Sequence, residues 1–351
     1  MANLIKALQK EGLAVDTATR GAEVKGWLHS GNYGLNFAMA GRFSRGYPLG
    51  HATEMFGLWG TGKSYLIARA LAEAQRAGGM ALLDDVEHAL CLDWAGRLGV
   101  DVDALAYVQS STVLEHTVLL DRCLSIVRAA KDDPLVVIAL DSLAALTTEH
   151  ELKTLEKGTK DMARAQEIHK LFRSSCALLK HTRAAHLIAN HKISPMSMFQ
   201  KADSSGGGGA KYFSSVRLDL HNPRQVKAAD KEVIGAICRI TVPKTRFTAG
   251  YKETGMYIPY YSEISPFSGL LPLLLRYEVV SLSDAHDIVW QGADTGIRFE
   301  DKNFVRQDDA AAELVNAHPD ILDEADRMFE QWEHEVHDSS TLSDGTTEED
   351  A

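Results

Sequence analysis

Ala52-Thr-Glu-Met-Phe-Gly-Leu-Trp-Gly-Thr-Gly-Lys-Ser64 decides how this chain is read, because Gly57 to Ser64 fit the spacing G-x-x-x-x-G-K-[ST] of a phosphate-binding loop. An apolar pair, Met55-Phe56, precedes it, and a helical pattern starting at Tyr65 follows. That is the strand, loop and helix context the motif requires. Gly57, Gly60 and Gly62 let backbone amides turn inward around a polyphosphate, and the helix start presents its positive end to the same anion. Lys63 adds a mobile charge for the β- and γ-phosphates, and Ser64 a hydroxyl for Mg²⁺. Thr61 and Tyr65 complete the candidate nucleotide-binding set around the loop.

Outward from the loop, apolar runs alternate with helical patterns. Met80 to Asp85, Leu105 to Gln109, Leu135 to Asp141 and His186 to His191 each read as a buried strand ending in polar groups. Continuous apolar strands of this kind predict an α/β fold with a mostly parallel central sheet flanked by helices. Ligands collect at the carboxyl ends of such strands, which places Glu87 and Asp141 opposite the phosphate loop. Asp141 is the expected Mg²⁺ carboxylate beside Ser64. Glu87 is the candidate to orient or deprotonate an attacking water, with Asp84 and Asp85 as competitors. Trp94 is a candidate to stack on the base or, equally, a core residue.

The chain of 351 residues carries 48 acidic and 37 basic side chains, a net charge of −11, which taken alone argues against nucleic acid. Distribution reverses that inference. Residues 338–351 contain acids and no Lys or Arg, while 153–211 carry Arg164, Arg173, Lys192, Lys201 and Lys211 among other cations. Within that region, 192–211 is too long and glycine-rich for a core connection. Met196, Met198 and Phe199 suit wedging between bases, and Gly207, Gly208 and Gly209 suit close approach to a backbone; a flexible linker is the alternative. Lys244 and Arg246 offer positive charge to a nucleotide, in their own subunit or the next.

The first twelve residues read as a short amphipathic helix without the apolar core of a signal peptide. The longest apolar runs fall well short of the roughly 20 residues a bilayer requires, so no membrane partner is expected. Four scattered cysteines indicate neither zinc nor disulfides, and a cytoplasmic setting is expected, that of a bacterial host if the gene is phage-borne. The organisation predicted is an N-terminal helix and linker at 1–30, a core at 31–263, a small, mostly helical region at 264–336 and an acidic, disordered tail at 337–351.

Several motifs occur in one order: Gly57 to Ser64, Asp84 to Leu90, Leu140 to Leu146, Asp161-Met-Ala-Arg-Ala, Lys170-Leu-Phe-Arg, Asn190-His, Gly206 to Lys211, Ser215-Val-Arg-Leu-Asp, Lys244-Thr-Arg and Ser265 to Leu271. In this order the chain resembles the RecA family of recombinases, in particular the phage recombinases of the UvsX type. The resemblance implies that Glu87 is the catalytic carboxylate, that Lys63, Ser64 and Asp141 hold MgATP, and that Trp94 lies against adenine. It places Asn190 and His191 as sensors of the γ-phosphate that signal to a DNA-binding loop at 192–210. Lys244 and Arg246 match a basic pair reaching across a filament interface, and Arg173 with 153–164 a first DNA-binding region. His191 stands where many bacterial members have Gln, and Cys91 where bacterial relatives have an acid that contacts the base.

The function so implied is an ATP-dependent recombinase, a DNA-dependent ATPase that forms helical filaments on single-stranded DNA and pairs it with homologous duplex DNA. A single-strand-binding protein and a loading mediator are further expected partners. A hexameric DNA helicase on the same core, or a non-catalytic recombination accessory protein, would share many of these motifs.

Overall fold

The computed structural model describes residues 2–12, 24–153, 162–193, 203–206, 208–228, 230–250, 252–299 and 304–338. Helix α1 (Ala2–Lys10) opens the chain, and β1 (Trp27–Leu28) pairs with β2 (Tyr47–Pro48) on either side of α2 (Tyr33–Ala40). There follow β3 (His51–Gly57), α3 (Lys63–Arg76), β4 (Met80–Asp85), α4 (Leu92–Arg97), β5 (Leu105–Val108) and α5 (Val113–Ala129). The next elements are β6 (Val136–Asp141), α6 (Glu149–Lys153), α7 (Met162–Leu179), β7 (Ala184–Ile193), β8 (Asp203–Ser204) and α8 (Gly208–Phe213). Then come β9 (Val216–Leu220), β10 (Arg224–Lys227), β11 (Val233–Lys244) and β12 (Lys252–Pro259).

Six strands in the order β9-β3-β7-β6-β4-β5 run parallel, and β11 joins β9 antiparallel. Side chains alternate across the sheet because successive residues of a strand point to opposite faces. Val137 and Ala139 join the core under α3 with Leu66, Ala70 and Leu71, whereas Val136, Ile138 and Leu140 join the core under α5 and α7 with Leu120, Leu124 and Phe172. Both faces are therefore dry, which is why β6 reads as an uninterrupted apolar run. Helix α5 starts where Thr112 and Glu115 satisfy each other's backbone amides as a capping box.

After β12 the chain forms α9 (Leu270–Arg276), an antiparallel sheet of β13 (Ser281–Leu282), β14 (Asp287–Trp290) and β15 (Ala293–Arg298), then α10 (Phe304–Ala317) and α11 (Ile321–Asp338). A mostly helical reading of 264–336 omits this sheet. Its tight turn, Gln291-Gly292, holds both residues at positive φ, and Gln in place of Asn or Asp hides the hairpin signal. Phe37 and Phe43, from the chain before β3, complete this region's core, with the Phe37 ring 4.5 Å from that of Phe329. Asn32 caps α2 and also donates to the Ser268 carbonyl at 2.8 Å, tying the two ends of the chain together. Among the described residues no helix is long and apolar enough to cross a membrane.

Asp308 of α10 is 5% exposed and accepts from the Gly269 amide at 3.3 Å. Burial pushes its carboxyl up to about 7, with Asp309 adding repulsion and the Ser268 and Gly269 hydrogen bonds only partly opposing it. The sign follows from linkage: the folded chain holds this proton where the unfolded chain has lost it, so stability falls as pH rises from about 4 to about 7. Asp308→Asn is expected to stabilise the protein at pH 8 by on the order of 1–3 kcal/mol and to change little at pH 4.5. Thermal denaturation at the two pH values checks this; an equal shift at both would contradict it.

Candidate active site

Strand β3 delivers the chain to Gly57, and α3 begins at Lys63 after Gly62 turns the backbone at φ 95°. A side chain at Gly62 would also meet Ile258 at 2.5 Å, and one at Gly57 would meet the Leu220 carbonyl at 2.7 Å. The loop is therefore fixed in shape by close backbone approach as much as by glycine's conformational range. Inside it, the Lys63 ammonium donates to the carbonyls of Leu58 at 2.8 Å and Gly57 at 3.3 Å, and Thr61 Oγ1 donates to the Leu58 carbonyl at 2.9 Å. Burial lowers the Lys63 pKa, while Asp141 and Glu87 act in the opposite direction.

Asp141, the last residue of β6, and Ser64, the second residue of α3, line one pocket, and the Ser64 hydroxyl favours the ionised form of the Asp141 carboxyl. Burial pushes its carboxyl up to about 6; Glu87 and Asp85 add repulsion, and Ser64 and Lys63 relieve it only in part. A half-buried carboxylate and a hydroxyl, together at the phosphate loop among further acids, form a hard-oxygen site short of positive charge. This donor set fits Mg²⁺, which takes few protein oxygens and completes its shell from phosphate and water.

Glu87 lies just beyond β4, and its Oε1 accepts from Ser142 Oγ at 2.5 Å and stands 3.1 Å from His191 Nε2. Burial opposes ionisation of Glu87, but the Ser142 and His191 hydrogen bonds and the charges of His191 and Lys63 outweigh it and hold the carboxyl below its ordinary value. The two competing acids are engaged elsewhere. Asp84 is fully buried, with His116 Nδ1 at 2.7 Å and the Ser110 amide at 2.8 Å. Asp85 anchors the next turn through the Ala89 and Leu90 amides and the Tyr107 hydroxyl. Of the three, Glu87 alone remains substantially exposed, at 39%, next to the phosphate loop.

His191 and Asn190 are adjacent on β7 yet face different surroundings, as alternation demands. The buried Asn190 amide donates to Glu54 Oε1 at 2.8 Å and to the Ser205 carbonyl at 2.9 Å. Glu54 in turn accepts from Arg217 Nε at 2.6 Å, and Arg217 reaches Asp203 and Ser204 on β8 at 2.7 and 2.9 Å. A polar thread thus joins β3, β7 and β9 to β8, on the far side of the segment 194–202. Ser142, Glu54 and Arg217 are members of this constellation that motif reading missed. Ser142 was visible beside Asp141, whereas the Glu54–Arg217 pair has no local signal because its partners lie 163 residues apart.

Trp94 is half-buried, edge-on to Tyr65 with ring centres 5.9 Å apart. Tyr65 is itself 5% exposed, its hydroxyl donating to the Ser262 carbonyl at 3.0 Å. Beside the loop, Trp94, Tyr65, Pro259 and Tyr260 line a cleft of about 360 Å³ that also contains Gly60, Thr61 and Gly62. Pro259 and Tyr260 come from the distant end of β12, which no motif marked.

Lys244 and Arg246 are absent from this cluster. Lys244 pairs in register with Arg217, three residues before Leu220, and Leu220 stands opposite Gly57. Its ammonium caps α8, donating to the Lys211 and Tyr212 carbonyls at 2.9 and 2.8 Å. Arg246 shares a pocket with His51, the first residue of β3, whose pKa burial lowers and Arg246 lowers further. Arg246 therefore sits at the opposite end of β3 from the phosphate loop, about 20 Å away for a seven-residue strand, whereas Lys244 lies level with Glu54 at the middle of the strand, about 10 Å from Gly57.

Among the candidate nucleic-acid residues, Arg173 is exposed on α7 and Arg164 donates to the Ala144 carbonyl. Lys192 pairs with Asp219 at 2.8 Å and Lys211 with Asp203 at 3.4 Å. Gly208 and Gly209 start α8 rather than extend a loop, and a side chain at Gly209 would press on the His169 backbone at 3.0 Å. Their glycines serve helix packing there. Met196, Met198, Phe199, Lys201 and Gly207 lie outside the described residues, as do 154–161 and the tail from 339.

A parallel sheet with a glycine-shaped phosphate loop, a Ser64–Asp141 pair and an ionised Glu87 at the strand ends defines a P-loop nucleotide-binding protein of the α/β class. The model of the RecA N-terminal domain matches residues 3–265, and the chain belongs to the RecA family. It is 30% identical over 267 residues to the protein RecA of Treponema denticola, covering 74% of this chain and 63% of that one. It is 29% identical over 317 residues to the protein RecA of Zymomonas mobilis, covering 89% and 83% respectively.

Proposed function

We propose that this protein is an ATP-dependent DNA recombinase that assembles head to tail on single-stranded DNA, with ATP and Mg²⁺ at each subunit interface, and pairs that strand with homologous duplex DNA. The observation that carries this reading is the position of Arg246 at the end of β3 opposite the phosphate loop, with Lys244 bonded to α8 and not to that loop, from which the two would serve a neighbour's nucleotide and not their own. A head-to-tail contact of this kind need not close, and so generates a helix.

In this reading the polyphosphate takes the place of the Gly57 and Leu58 carbonyls on Lys63, with the loop and α3 amides around it. Mg²⁺, held by Ser64 and through water by Asp141, would neutralise charge on the β- and γ-phosphates. Glu87, ionised at neutral pH, orients the attacking water and accepts its proton. His191, bonded to Glu87, follows the γ-phosphate, and β7 continues into residues 194–202, the DNA-facing segment of this proposal. Exposed Arg173 adds a phosphate contact.

The test is negative-stain electron microscopy of the purified protein with single-stranded DNA, Mg²⁺ and a slowly hydrolysed ATP analogue. Open helical filaments that require nucleotide are expected. Closed rings would transfer the reading to a helicase, and DNA binding without assembly to an accessory protein.

A further inference from the structure

Trp59 stands at the crest of the phosphate loop and is 85% exposed, the most exposed large apolar side chain among the described residues. Leu58 beside it is 38% exposed, and the space around the Gly60 backbone is open. Among the described residues no hydrogen bond or ring contact engages the indole within its own protomer. Nothing in phosphate binding requires a tryptophan at this position, because the loop acts through backbone amides and Lys63. Exposed tryptophans of this kind are the commonest energetic centres of protein interfaces.

At the other end of the same strand lies a pocket of about 230 Å³. Its walls carry three cations, Lys25, Lys180 and Arg246, and the imidazoles of His51 and His181, with no carboxylate among the described lining residues. Its floor is Leu49, Gly50 and Ala52. The volume exceeds the roughly 150 Å³ that accommodates a benzene ring, and an indole face is the aromatic surface that cations favour most. The pocket is thus apolar at its base, cationic at its rim and matched to an aromatic group arriving beside an anion.

Knob and hole occupy opposite ends of β3. Any contact that brings Arg246 of one copy to the phosphate loop of the next must also cover Trp59, which lies four residues from Lys63. We propose that Trp59 of one copy seats in the pocket beside Arg246 of its neighbour, its ring against the Leu49 and Ala52 floor and under the Lys180 and Arg246 cations. The proposal rests on the head-to-tail reading above and adds its anchor. It makes the phosphate loop a part of the subunit contact, so nucleotide occupancy and assembly act on one segment of chain. Charge complementarity favours a second copy as the occupant, because a loaded phosphate loop presents its anion alongside the indole to a pocket lined by cations.

Sedimentation velocity of the full chain with single-stranded DNA, Mg²⁺ and a slowly hydrolysed ATP analogue provides the test. Trp59→Ala and Lys180→Glu, both at exposed positions, are each expected to raise the concentration for half-assembly at least about tenfold. The double variant is expected to be no worse than the weaker-assembling single, since both remove one contact. Trp59→Phe keeps a ring and supplies a reference: emission of the wild type minus that of this variant should move to the blue on assembly and become harder to quench with acrylamide. Affinity of the unassembled Lys180→Glu protein for a fluorescent ATP analogue should stay within about threefold of wild type, as Lys180 lies at the opposite end of β3 from its own phosphate loop. Loss of that affinity, or assembly of either single variant at the wild-type concentration, would overturn the seat while leaving the filament reading intact. A wild-type protein that does not assemble would overturn the head-to-tail reading itself.

Discussion

Glu87→Gln is expected to lower DNA-stimulated ATP hydrolysis by about 10²- to 10⁴-fold while nucleotide binding is largely kept. The amide is nearly isosteric and still accepts the hydrogen bond from Ser142 that holds Glu87 in place at 2.5 Å. What it cannot do is take a proton. The wild-type carboxyl is held below its ordinary value, because the Ser142 and His191 bonds and the Lys63 charge overcome the effect of burial, and at neutral pH it is the ionised form that the proposed base role requires. Asp84 and Asp85 cannot substitute, being bound to His116 and Ser110 in one case and to the turn at 89–90 and Tyr107 in the other. Phosphate release measured with single-stranded DNA, alongside equilibrium binding of a fluorescent ATP analogue, separates the two effects. Turnover within tenfold of wild type would remove Glu87 from the role of base, whereas parallel loss of binding would make it a structural residue.

Glu54→Ala is expected to cost about 3–5 kcal/mol of stability. Glu54 is fully buried and Arg217 is 4% exposed, so removing the carboxylate leaves a guanidinium in the sheet with only the part-exposed Asp203 to compensate its charge. Arg217 also lies over the Phe56 ring at 4.4 Å and holds Asp203 and Ser204, so its displacement would disturb β8 and the strand that leads to the phosphate loop. Replacing both partners, as Glu54→Met with Arg217→Met, should recover much of the loss, since neither charge then needs solvation. Denaturant titration of the two variants beside the wild type measures it. A single variant as stable as wild type would mean that water reaches Arg217 from β8.

The phosphate loop, Lys63, Ser64, Asp141 and Glu87 were legible because strand ends, glycine spacing and a helix start are short-range features. Each is set by neighbours within a few residues. The parallel sheet was legible for a related reason: strands buried on both faces must be apolar throughout, and Leu135 to Leu140 are. The hairpin at Gln291-Gly292 was not, since its turn residues lack the usual asparagine or aspartate. That Gly208 and Gly209 open a helix was not legible either, because the packing on Gly209 comes from the His169 backbone of another helix.

By itself, then, the sequence determined the fold class, the nucleotide loop and the acids at the strand ends, all of which follow from local pattern and backbone geometry. Only the tertiary structure decided which of three clustered acids is available as a base, since that depends on His116, Tyr107, Ser142 and His191 arriving from β5, β6, β7 and α5. It also decided that Lys244 bonds to α8 and Arg246 lies by His51, neither reaching its own phosphate loop, and that Glu54 finds Arg217. Charges act through space, over distances that chain order does not encode, and strand register alone brings such residues together or holds them apart.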